Sequence, residues 1–396
     1  MSARAGARRG PRLALPARLR PDPVRAPLYL GGFLGPFGGG MLTPLIPAVA
    51  DGLDVSESLV ALAITAYMIP FASLQLVSGT VAERVGAGRV VRLGYAGFGA
   101  AAVLSAAAPG IEAFIAGRVL MGVANAFLSP ILLAGLSTTV GREQLGRAVG
   151  TFAAVQTAGI TLAPALGGAL GELSWRLAFV VVAVVSGLLA LRTPPLAPAE
   201  PGSRASLRAL ADPWLALLSA TALLGYLGFT SIGVVAVLAV SREFGVGTGL
   251  GGLIIASYGL GGVLLGRFAG GVVDRAGRPQ TALAGTAACA AGVLGLAFAP
   301  TAWAFALVYL AIGCAGAFAW SGLNTIAVES FPRNRAGATS AFSAFKFVGV
   351  AIAPALYVPL LDRDEHLPFA VAAGVALGCA LLVLPWLGRY RRQAVV

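Results

Sequence analysis

Three basic side chains lie inside long apolar stretches of the sequence, at Arg118, Arg267 and Lys346. An arginine or lysine at the centre of a bilayer costs about 2.5–3.5 kcal/mol on insertion scales, so each needs a partner or a water-filled cavity. Arg267 lies near the end of its apolar stretch, seven residues before Asp274, which predicts a structural role. Arg118 and Lys346 lie deeper, where a cation could bind a substrate or exchange a proton.

Arg118 is followed by a small residue and an amide at helical spacing. Gly122 comes four positions later and Asn125 seven positions later, which places all three on one side of a helix. The pattern predicts a polar stripe that lines a cavity within the membrane. The alternative is structural, with the guanidinium capping free carbonyl groups where a helix is broken.

Lys346 occupies a position that the sequence contains twice. The segment 341–356 repeats the segment 151–166 at an offset of 190, so Lys346 corresponds to Gln156. We expect the two side chains to face one another across a central cavity, where a lysine could bind an anionic or carbonyl-bearing group. The alternative is a lysine that extends to water at the membrane surface. Four aromatic residues could line the same cavity and stack on an organic ligand, namely the repeat-related pair Tyr67 and Tyr258, with Tyr309 and Trp320.

A second group of charges follows two apolar stretches and is also duplicated. GTVAERVGAGR begins at Gly79, and GGVVDRAGR begins at Gly270. Glycine permits the close approach of a neighbouring backbone, an acid can face the positive N-terminus of another helix, and arginine can hold that acid by paired hydrogen bonds. This chemistry predicts a latch, meaning a breakable polar contact between helices; the alternative is that the charges only fix the helix ends at the membrane surface. The candidate latch residues are Gly79, Glu83, Arg84, Gly270, Asp274, Arg275 and Arg278.

The elements that carry these residues are predicted to be transmembrane helices. Hydrophobic residues make up 58% of the 396, charged residues make up 11%, and the mean hydropathy is +0.86, which excludes an ordinary soluble protein. The apolar stretches are long enough to cross a bilayer, which takes about 20 residues, and they lack the polar–apolar alternation of β-barrel strands. The sequence therefore predicts an all-α membrane protein. Its twelve transmembrane helices are expected near 27–50, 59–79, 90–108, 111–133, 149–170, 176–192, 214–240, 249–270, 280–298, 301–323, 338–361 and 367–387.

The formal net charge of +12 reflects membrane topology rather than nucleic-acid binding. Arginines are concentrated in the N-terminal segment and in alternate connections, and acidic residues in the other connections. The positive-inside rule then places both termini in the cytoplasm. Cys289, Cys314 and Cys379 lie inside predicted spans without a metal, redox or disulfide pattern, so no cofactor is expected.

The two halves of the chain are related by an internal repeat. At an offset of 191, Tyr67 corresponds to Tyr258 and Gly122 to Gly313. Because this offset spans six helices, an even number, both halves have the same orientation, which predicts two parallel six-helix bundles with a substrate site at their interface. The expected segments are a disordered cytoplasmic tail at 1–26, an N-terminal bundle at 27–192, a cytoplasmic linker at 193–213, a C-terminal bundle at 214–388 and a cytoplasmic tail at 389–396.

Three motifs resemble those of the major facilitator superfamily. The turn after the second helix of the C-terminal half resembles GxxxDRxGR, and the first copy departs from it, with Glu83 for the aspartate and an extra residue before Arg89. Helix 4 resembles RxxxGxxxA, and helix 5 resembles the GxxxGPxxGG motif of the twelve-helix drug:proton antiporter branch, with Ala163 for its second glycine. The matching residues are Gly270, Asp274, Arg275, Gly277 and Arg278; Arg118, Gly122 and Ala126; and Gly159, Pro164, Gly167 and Gly168.

The resemblance implies the major facilitator fold and secondary active transport in a bacterial plasma membrane. It implies export of a small organic molecule by alternating access, in exchange for protons, with Arg118 tied to proton coupling. Glu83 and Asp274 would hold the halves together on the cytoplasmic side while the outer side is open. Gly159 and Pro164, with Gly167 and Gly168, would form a close contact between the halves that resists leakage. The expected partners are the substrate, protons and lipid, without nucleic acid, and the transporter is expected to act as a monomer.

The residues alone leave other functions open. One is uptake or facilitated diffusion of an anionic metabolite that binds Arg118 and Lys346. A membrane enzyme is less consistent with the sequence, since the single histidine, His366, lies in a loop and neither an HExxH nor a P-loop pattern occurs. A receptor would bind its ligand without flux. No Asp or Glu lies inside a predicted span, so the sequence does not identify the residue that couples protons.

Overall fold

The computed structural model describes residues 25–139, 142–193, 196, 212–331 and 335–393, and these form twelve helices, some of them interrupted, without a strand. The prediction of an all-α membrane protein is confirmed. Ten of the helices are long and apolar enough to cross a membrane; the third and ninth have 20 and 19 residues, begin with a basic turn and are rich in glycine and alanine. The helices are α1 (Arg25–Leu53), α2 (Glu57–Val85), α3 (Ala87–Ala106), α4 (Ile111–Ala126, continued by Ser129–Thr138), α5 (Arg142–Gly171), α6 (Trp175–Arg192), α7 (Pro213–Phe244), α8 (Thr248–Ala276), α9 (Arg278–Leu296), α10 (Ala302–Glu329), α11 (Arg335–Leu361) and α12 (Leu367–Gln393).

The predicted terminal segments and linker fall mostly outside the described residues. This holds for 1–24 of the predicted tail 1–26, and for 194, 195 and 197–211 of the predicted linker. At the other end the structure differs from the prediction, because α12 continues to Gln393 into the predicted tail 389–396. The Arg389 guanidinium lies 4.6 Å from the ring centroid of Trp214 and 5.2 Å from that of Trp386, and these contacts favour the longer helix.

Two helices are interrupted at positions that later matter for the site. The first segment of α1 ends at Gly40, and a 3₁₀ turn at Thr43–Leu45 precedes the next segment. Pro44 lies in this turn and cannot donate a backbone hydrogen bond. In α7, a π-helical turn covers Tyr226–Thr230. Interruptions of this kind change the backbone hydrogen bonding locally, and π turns are frequent at functional sites.

The sequence sets several helix boundaries directly. Ser56, Ser174 and Thr301 each accept a hydrogen bond from a backbone N–H in the first turn of α2, α6 and α10. Gly86, between α2 and α3, and Gly277, between α8 and α9, have positive φ angles of 99° and 96°. A side chain would strain the backbone at either glycine, so these two repeat-related turns require the residue that the sequence supplies.

The internal repeat is visible in the packing. A Cβ at Gly122 of α4 would collide with the backbone carbonyl of Tyr67 in α2, and a Cβ at Gly313 of α10 would collide with the backbone carbonyl of Tyr258 in α8. The same glycine therefore allows the same close helix crossing in both halves. This agrees with the predicted pair of parallel six-helix bundles, α1–α6 and α7–α12.

The two halves meet through α5 against α8 and α2 against α11. At one end of the interface α5 and α8 approach each other at backbone distance. A Cβ at Gly168 would collide with the Thr248 carbonyl, and one at Gly252 with the Pro164 carbonyl. We call this end of the molecule the acidic face, because it carries Asp51, Glu57, Glu172 and Asp362. We call the opposite end the basic face, because it carries Arg84, Arg147, Arg275 and Arg278.

Toward the basic face the same interface helices separate. A Cβ at Gly79 of α2, or at Gly266 or Gly270 of α8, would meet no atom of another described element within 4 Å. The halves are thus in close contact near the acidic face and apart near the basic face.

Candidate functional site

The N-terminal half contains a fully buried polar cluster around Arg118, whose exposed fraction is 0%. Arg118 Nη1 donates a hydrogen bond to the Gly38 carbonyl oxygen at 2.9 Å, in the last turn before the break in α1. The guanidinium carbon lies 4.5 Å from the ring centroid of Tyr67. Asn125 Nδ2 donates to the Tyr67 hydroxyl at 2.8 Å, and that hydroxyl donates to the Gly35 carbonyl at 3.3 Å. Three predicted site residues, Arg118, Asn125 and Tyr67, are therefore brought together.

The Arg118 charge is only partly satisfied within the described residues. Its Nε and Nη2 atoms have no hydrogen-bond acceptor there, and neither does Asn125 Oδ1 have a donor. No described carboxylate forms an ion pair with this guanidinium. The contact with Gly38 matches the predicted alternative of a carbonyl cap in a broken helix. A buried cation with free donors is nevertheless costly, which is typical of a group retained for function.

The C-terminal half holds Lys346 in a ring of aromatic side chains. Lys346 Nζ lies 4.2 Å from the ring centroid of Phe342, 5.0 Å from that of Trp320 and 5.9 Å from that of Tyr226. It also donates a hydrogen bond to Asn324 Oδ1 at 2.9 Å. Lys346 is half-buried and Asn324 is exposed, so this ammonium can be reached from outside the protein core. We call these five residues the Lys346 cage.

A chain of polar contacts leads from the Lys346 cage to Tyr258. Trp320 Nε1 donates to Thr230 Oγ1 at 3.2 Å, and Thr230 Oγ1 is 3.2 Å from the Tyr258 hydroxyl. The Tyr258 ring lies 5.5 Å from that of Tyr309, between ring centroids. Tyr226 and Thr230 both belong to the π turn of α7, which thus supplies one side chain to the cage and one to the chain.

Gln156 is half-buried and has no hydrogen bond to Lys346 among the described residues. The predicted pair across the central axis is not seen as a contact, because the ammonium turns toward side chains of its own half. Sequence reasoning also missed four residues that touch this region. They are Tyr226, Thr230, Asn324 and Phe342. Two of them had a usable signal, since Asn324 follows Trp320 by four positions and Phe342 precedes Lys346 by four, so each shares a helical face with a predicted residue.

Among the residues that the structure describes, the predicted latch is not formed at the basic face. Glu83, Arg84, Asp274 and Arg275 are all exposed. Arg278 instead pairs with Glu329 of its own half, with Nε 3.0 Å from Oε2. The structure therefore shows the latch residues apart, in the arrangement expected when the basic face is open.

The α5 motif divides between two neighbours, which corrects the prediction that all four of its residues join the halves. A Cβ at Gly159 would collide with the Phe33 carbonyl of α1, and one at Gly167 with the Met41 carbonyl of α1. These glycines are eight positions apart and lie on the helix face toward their own half. Only Pro164 and Gly168, on the other face, meet α8.

A polar cluster joins the halves at the acidic face, which we call the acidic-face cluster. Arg242 Nε donates to Glu57 Oε2 at 2.9 Å, and Arg242 Nη2 is 3.0 Å from Asp362 Oδ1. Ser58 Oγ donates to Asp362 Oδ2 at 2.8 Å. On the other side of the interface, the backbone N–H of Gly249 and the hydroxyl of Thr248 donate to Glu172 Oε1, at 2.6 and 3.4 Å.

The acidic-face cluster follows the internal repeat. Glu172 directly follows α5 and corresponds at an offset of 190 to Asp362, which directly follows α11. Glu172 accepts from the first residues of α8, and Asp362 accepts from the first turn of α2. Each half thus places a carboxylate on the positive N-terminus of a helix in the other half, which is favourable. The sequence predicted such an acid-to-helix contact, but at the opposite face.

A family model described as Major Facilitator Superfamily matches residues 28–224 and 218–395. Among curated proteins, the puromycin resistance protein pur8 of Streptomyces alboniger is 36% identical over 155 residues, or 39% of this chain and 31% of that protein. The multidrug efflux protein YfmO of Bacillus subtilis is 32% identical over 149 residues, 37% of each chain. The multidrug efflux pump LfrA of Mycolicibacterium smegmatis is 31% identical over 157 residues, 39% of this chain and 31% of that protein. The matched stretches span about a third of these relatives.

Two solved structures share the fold. The nucleoside transporter NupG has a TM-score of 0.76 at 15% identity, covering 91% of this chain and 99% of that one. A D-xylose-proton symporter has a TM-score of 0.76 at 16% identity, covering 91% and 96%. At these identities the comparison concerns architecture only.

Proposed function

This chain belongs to the Major Facilitator Superfamily, and from that premise we propose that it exports a small organic molecule across a bacterial plasma membrane by alternating access, in exchange for protons. In the proposed orientation the basic face is cytoplasmic, because arginine-rich connections remain on the cytoplasmic side of bacterial membranes. Both termini then lie in the cytoplasm, and the transporter acts as a monomer.

The observation that carries the proposal is the unequal contact between the halves. The acidic-face cluster and the close α5–α8 crossing hold the halves together at one end. At the other end the latch residues are exposed and apart, and the Lys346 cage lies on that side of the crossing. A carrier that alternates between two openings passes through a state of this description, closed outward and open to the cytoplasm.

The direction of transport is proposed from the relatives. Three bacterial proteins with 31–36% identity over part of their length are named for puromycin resistance or multidrug efflux. The α5 motif supports antiport, because Pro164 and Gly168 make the tight contact with α8 that would resist leakage through an empty carrier.

Proton exchange requires an ionisable group near the centre of the transporter. Of the three basic side chains that lie inside apolar stretches, Arg118 is buried and Lys346 is half-buried, and no described carboxylate pairs with either. We assign coupling to Arg118, whose unpaired donors lie against Tyr67 and the broken part of α1. A change of charge or hydrogen bonding there would act directly on the helices that must move.

A second candidate function, uptake or facilitated diffusion of an anionic metabolite, is favoured by one observation: Lys346 is a reachable cation. The same structure weakens the version in which two cations bind the ligand, because Arg118 is fully buried beneath Tyr67 and Met121. Export and uptake therefore differ in direction and energy source more than in the shape of the site.

The test is transport in everted membrane vesicles from a pump-deficient host. Compounds would first be selected by growth protection on a panel of toxic organic molecules, and their uptake into the vesicles would then be measured. We expect accumulation when the vesicle interior is acidified and loss of accumulation with a protonophore, with Arg118→Ala and Lys346→Ala as impaired controls. Accumulation that ignores the proton gradient would contradict antiport, and accumulation in intact cells would contradict export.

A further inference from the structure

We infer that the transported substrate is a flat aromatic anion that binds the Lys346 cage, with its acid group on the lysine ammonium and its ring among the aromatic side chains. The inference rests on the proposed function, because it names the class of molecule that such a transporter would carry. It concerns Lys346 alone of the two central cations.

The geometry leaves the ammonium incompletely bonded. An ammonium has three N–H donors, and the one hydrogen bond found for Lys346 goes to Asn324 Oδ1. The other near neighbours are the ring faces of Phe342, Trp320 and Tyr226, which attract a cation but cannot neutralise it. An acid group on the ligand would supply both the missing hydrogen bonds and the missing charge.

No described residue supplies that negative charge. The nearest acid along α10 is Glu329, five positions after Asn324, and it is already paired with Arg278. The remaining described ion pairs of Glu57, Asp362 and Glu365 lie at the acidic face. A ligand that carries a carboxylate or sulfonate is therefore the partner that the site lacks.

The aromatic side chains favour a flat ring as the rest of the ligand. Trp320 lies 4.8 Å from Tyr226 and 5.5 Å from Phe229, between ring centroids. Trp320 and Tyr226 are only half-buried, so their rings present accessible faces for stacking. An organic cation could also stack on these rings, but it would be repelled by the ammonium that already occupies their shared space.

Arg118 does not provide a second binding charge for this substrate. Its exposed fraction is 0%, and Tyr67 covers the guanidinium. The two cations are thus distinguished by access: Arg118 is enclosed between helices of the N-terminal half, whereas Lys346 of the C-terminal half is only half-buried.

The experiment uses three probes of nearly equal shape and different charge: 2-naphthoate, 2-naphthamide and 2-naphthylmethylammonium. Their binding to the purified full-length protein in detergent would be measured by equilibrium dialysis. A hydrogen-bonded charge pair changes affinity by about tenfold or more. We therefore expect the acid to bind at least about tenfold more tightly than the amide, and the amine to bind most weakly.

Two variants assign the preference to the lysine. Lys346→Gln should lower the affinity for 2-naphthoate to that for 2-naphthamide, whereas Lys346→Arg should preserve tighter binding of 2-naphthoate. Trp320→Leu should weaken the acid and the amide by a similar factor, because it removes stacking without removing charge. Melting temperature and elution volume would show that each variant is folded.

Several results would overturn the inference. They are equal binding of acid and amide, tighter binding of the amine, binding of none of the probes, or an acid preference that survives Lys346→Gln. Failure of the proposed function looks different. If the acid binds in a Lys346-dependent way but no proton gradient drives its movement, the proposed transport function is wrong and the binding site stands. If a gradient drives export but the acid is not preferred, transport stands and the inferred substrate class is wrong.

Discussion

The two halves of the molecule hold their repeat-related tyrosines with different partners. In the N-terminal half, Tyr67 bonds Asn125 of α4 and is covered by Arg118. In the C-terminal half, Tyr258 bonds Thr230 of α7 and is covered by Tyr309.

The sequence offset explains the exchange of partners. At 191 residues, Arg118 corresponds to Tyr309, Asn125 to Gly316 and Gly39 to Thr230. The polar partner of Tyr67 is thus Asn125 of the fourth helix, and the C-terminal half has Gly316 at the corresponding position. The polar partner of Tyr258 is Thr230 of the first helix of its half, and the N-terminal half has Gly39 there. One half encloses its cation, whereas the other leaves a cation, Lys346, in reach of a ligand. Two duplicated halves can therefore share one arrangement of helices while one half holds a buried charge and the other half contacts the ligand.

The largest effect is expected where the halves are most alike. Gly122→Val and Gly313→Val should each prevent folding, because the new side chain would press on the backbone carbonyl of Tyr67 or Tyr258. Overpacking costs about 1–3 kcal/mol or more, and a rigid carbonyl cannot relax as a side chain can. The measurement is the yield of monodisperse protein, with Gly266→Val in open space as the control. If only one of the two variants failed to fold, the two helix crossings would not be equivalent.

The next effect separates the two cations. Arg118→Met should leave the melting temperature unchanged or raise it, because replacing a buried, poorly paired charge with an apolar chain is neutral or stabilising by about 1–4 kcal/mol. Transport should nevertheless fall by about tenfold or more, the size of a typical coupling energy. Lys346→Met, at a half-buried site, is the matched control for folding. A large drop in melting temperature for Arg118→Met would show that the main role of Arg118 is structural, as the hydrogen-bond donor to the Gly38 carbonyl.

A smaller effect should distinguish the two tyrosines. Tyr67→Phe removes the acceptor for Asn125, which is buried, so it should cost about 1–3 kcal/mol. Tyr258→Phe should cost about 1 kcal/mol or less, because Thr230 keeps its bond from Trp320 and is only half-buried. Thermal unfolding of both variants in one detergent gives the comparison. Equal destabilisation by Tyr67→Phe and Tyr258→Phe would contradict the expectation that the more deeply buried hydrogen bond of Tyr67 contributes more to stability.

The smallest effect concerns the repeated contacts at the acidic face. Glu172→Gln and Asp362→Asn should each weaken closure by about 1 kcal/mol or less, because exposed polar contacts contribute little. Spin labels at Leu173 and Arg363, one in each half, would report the opening as a larger share of long distances. Asp364→Asn is the control, since Asp364 bonds only its own loop in the described structure. If neither substitution changes the distances, packing of α5 on α8 alone keeps the outer side closed.

Much of the fold could be predicted because it is periodic. The twelve helices follow from hydropathy and the paired bundles from the repeat, since both depend on residues close in sequence or at a fixed offset. Arg118 and Asn125 could be predicted as one polar group because they share a helix face, whereas Tyr67 was predicted only as a lining residue of the cavity and its contact with Arg118 joins two helices. The breaks in α1 and α7 were not predicted, although Pro44 marks one of them.

The rest of the site depends on contacts between helices. The Lys346 cage draws on α7, α10 and α11, and no spacing in the sequence joins Tyr226 to Asn324 or Phe342. The π turn of α7 changes which of its side chains share a face, so regular helical spacing assigns them wrongly. The contacts of Glu172 and Arg242 were not predicted, because a charge near a helix end can mark membrane topology whether or not it also pairs across the interface.

The acidic-face cluster has a consequence for the environment in which the protein works. In the proposed orientation it faces the external medium, and the side chains of Glu57, Arg242 and Asp362 keep 22%, 40% and 46% of their surface exposed. Mobile ions largely screen exposed charges that are separated by more than roughly 10 Å at 0.1 M ionic strength, and by more than roughly 3 Å at 1 M. At roughly 1 M salt outside the cell the screening length approaches these contact distances, so closure of the outer side should weaken slightly and the outward-open form should become more populated.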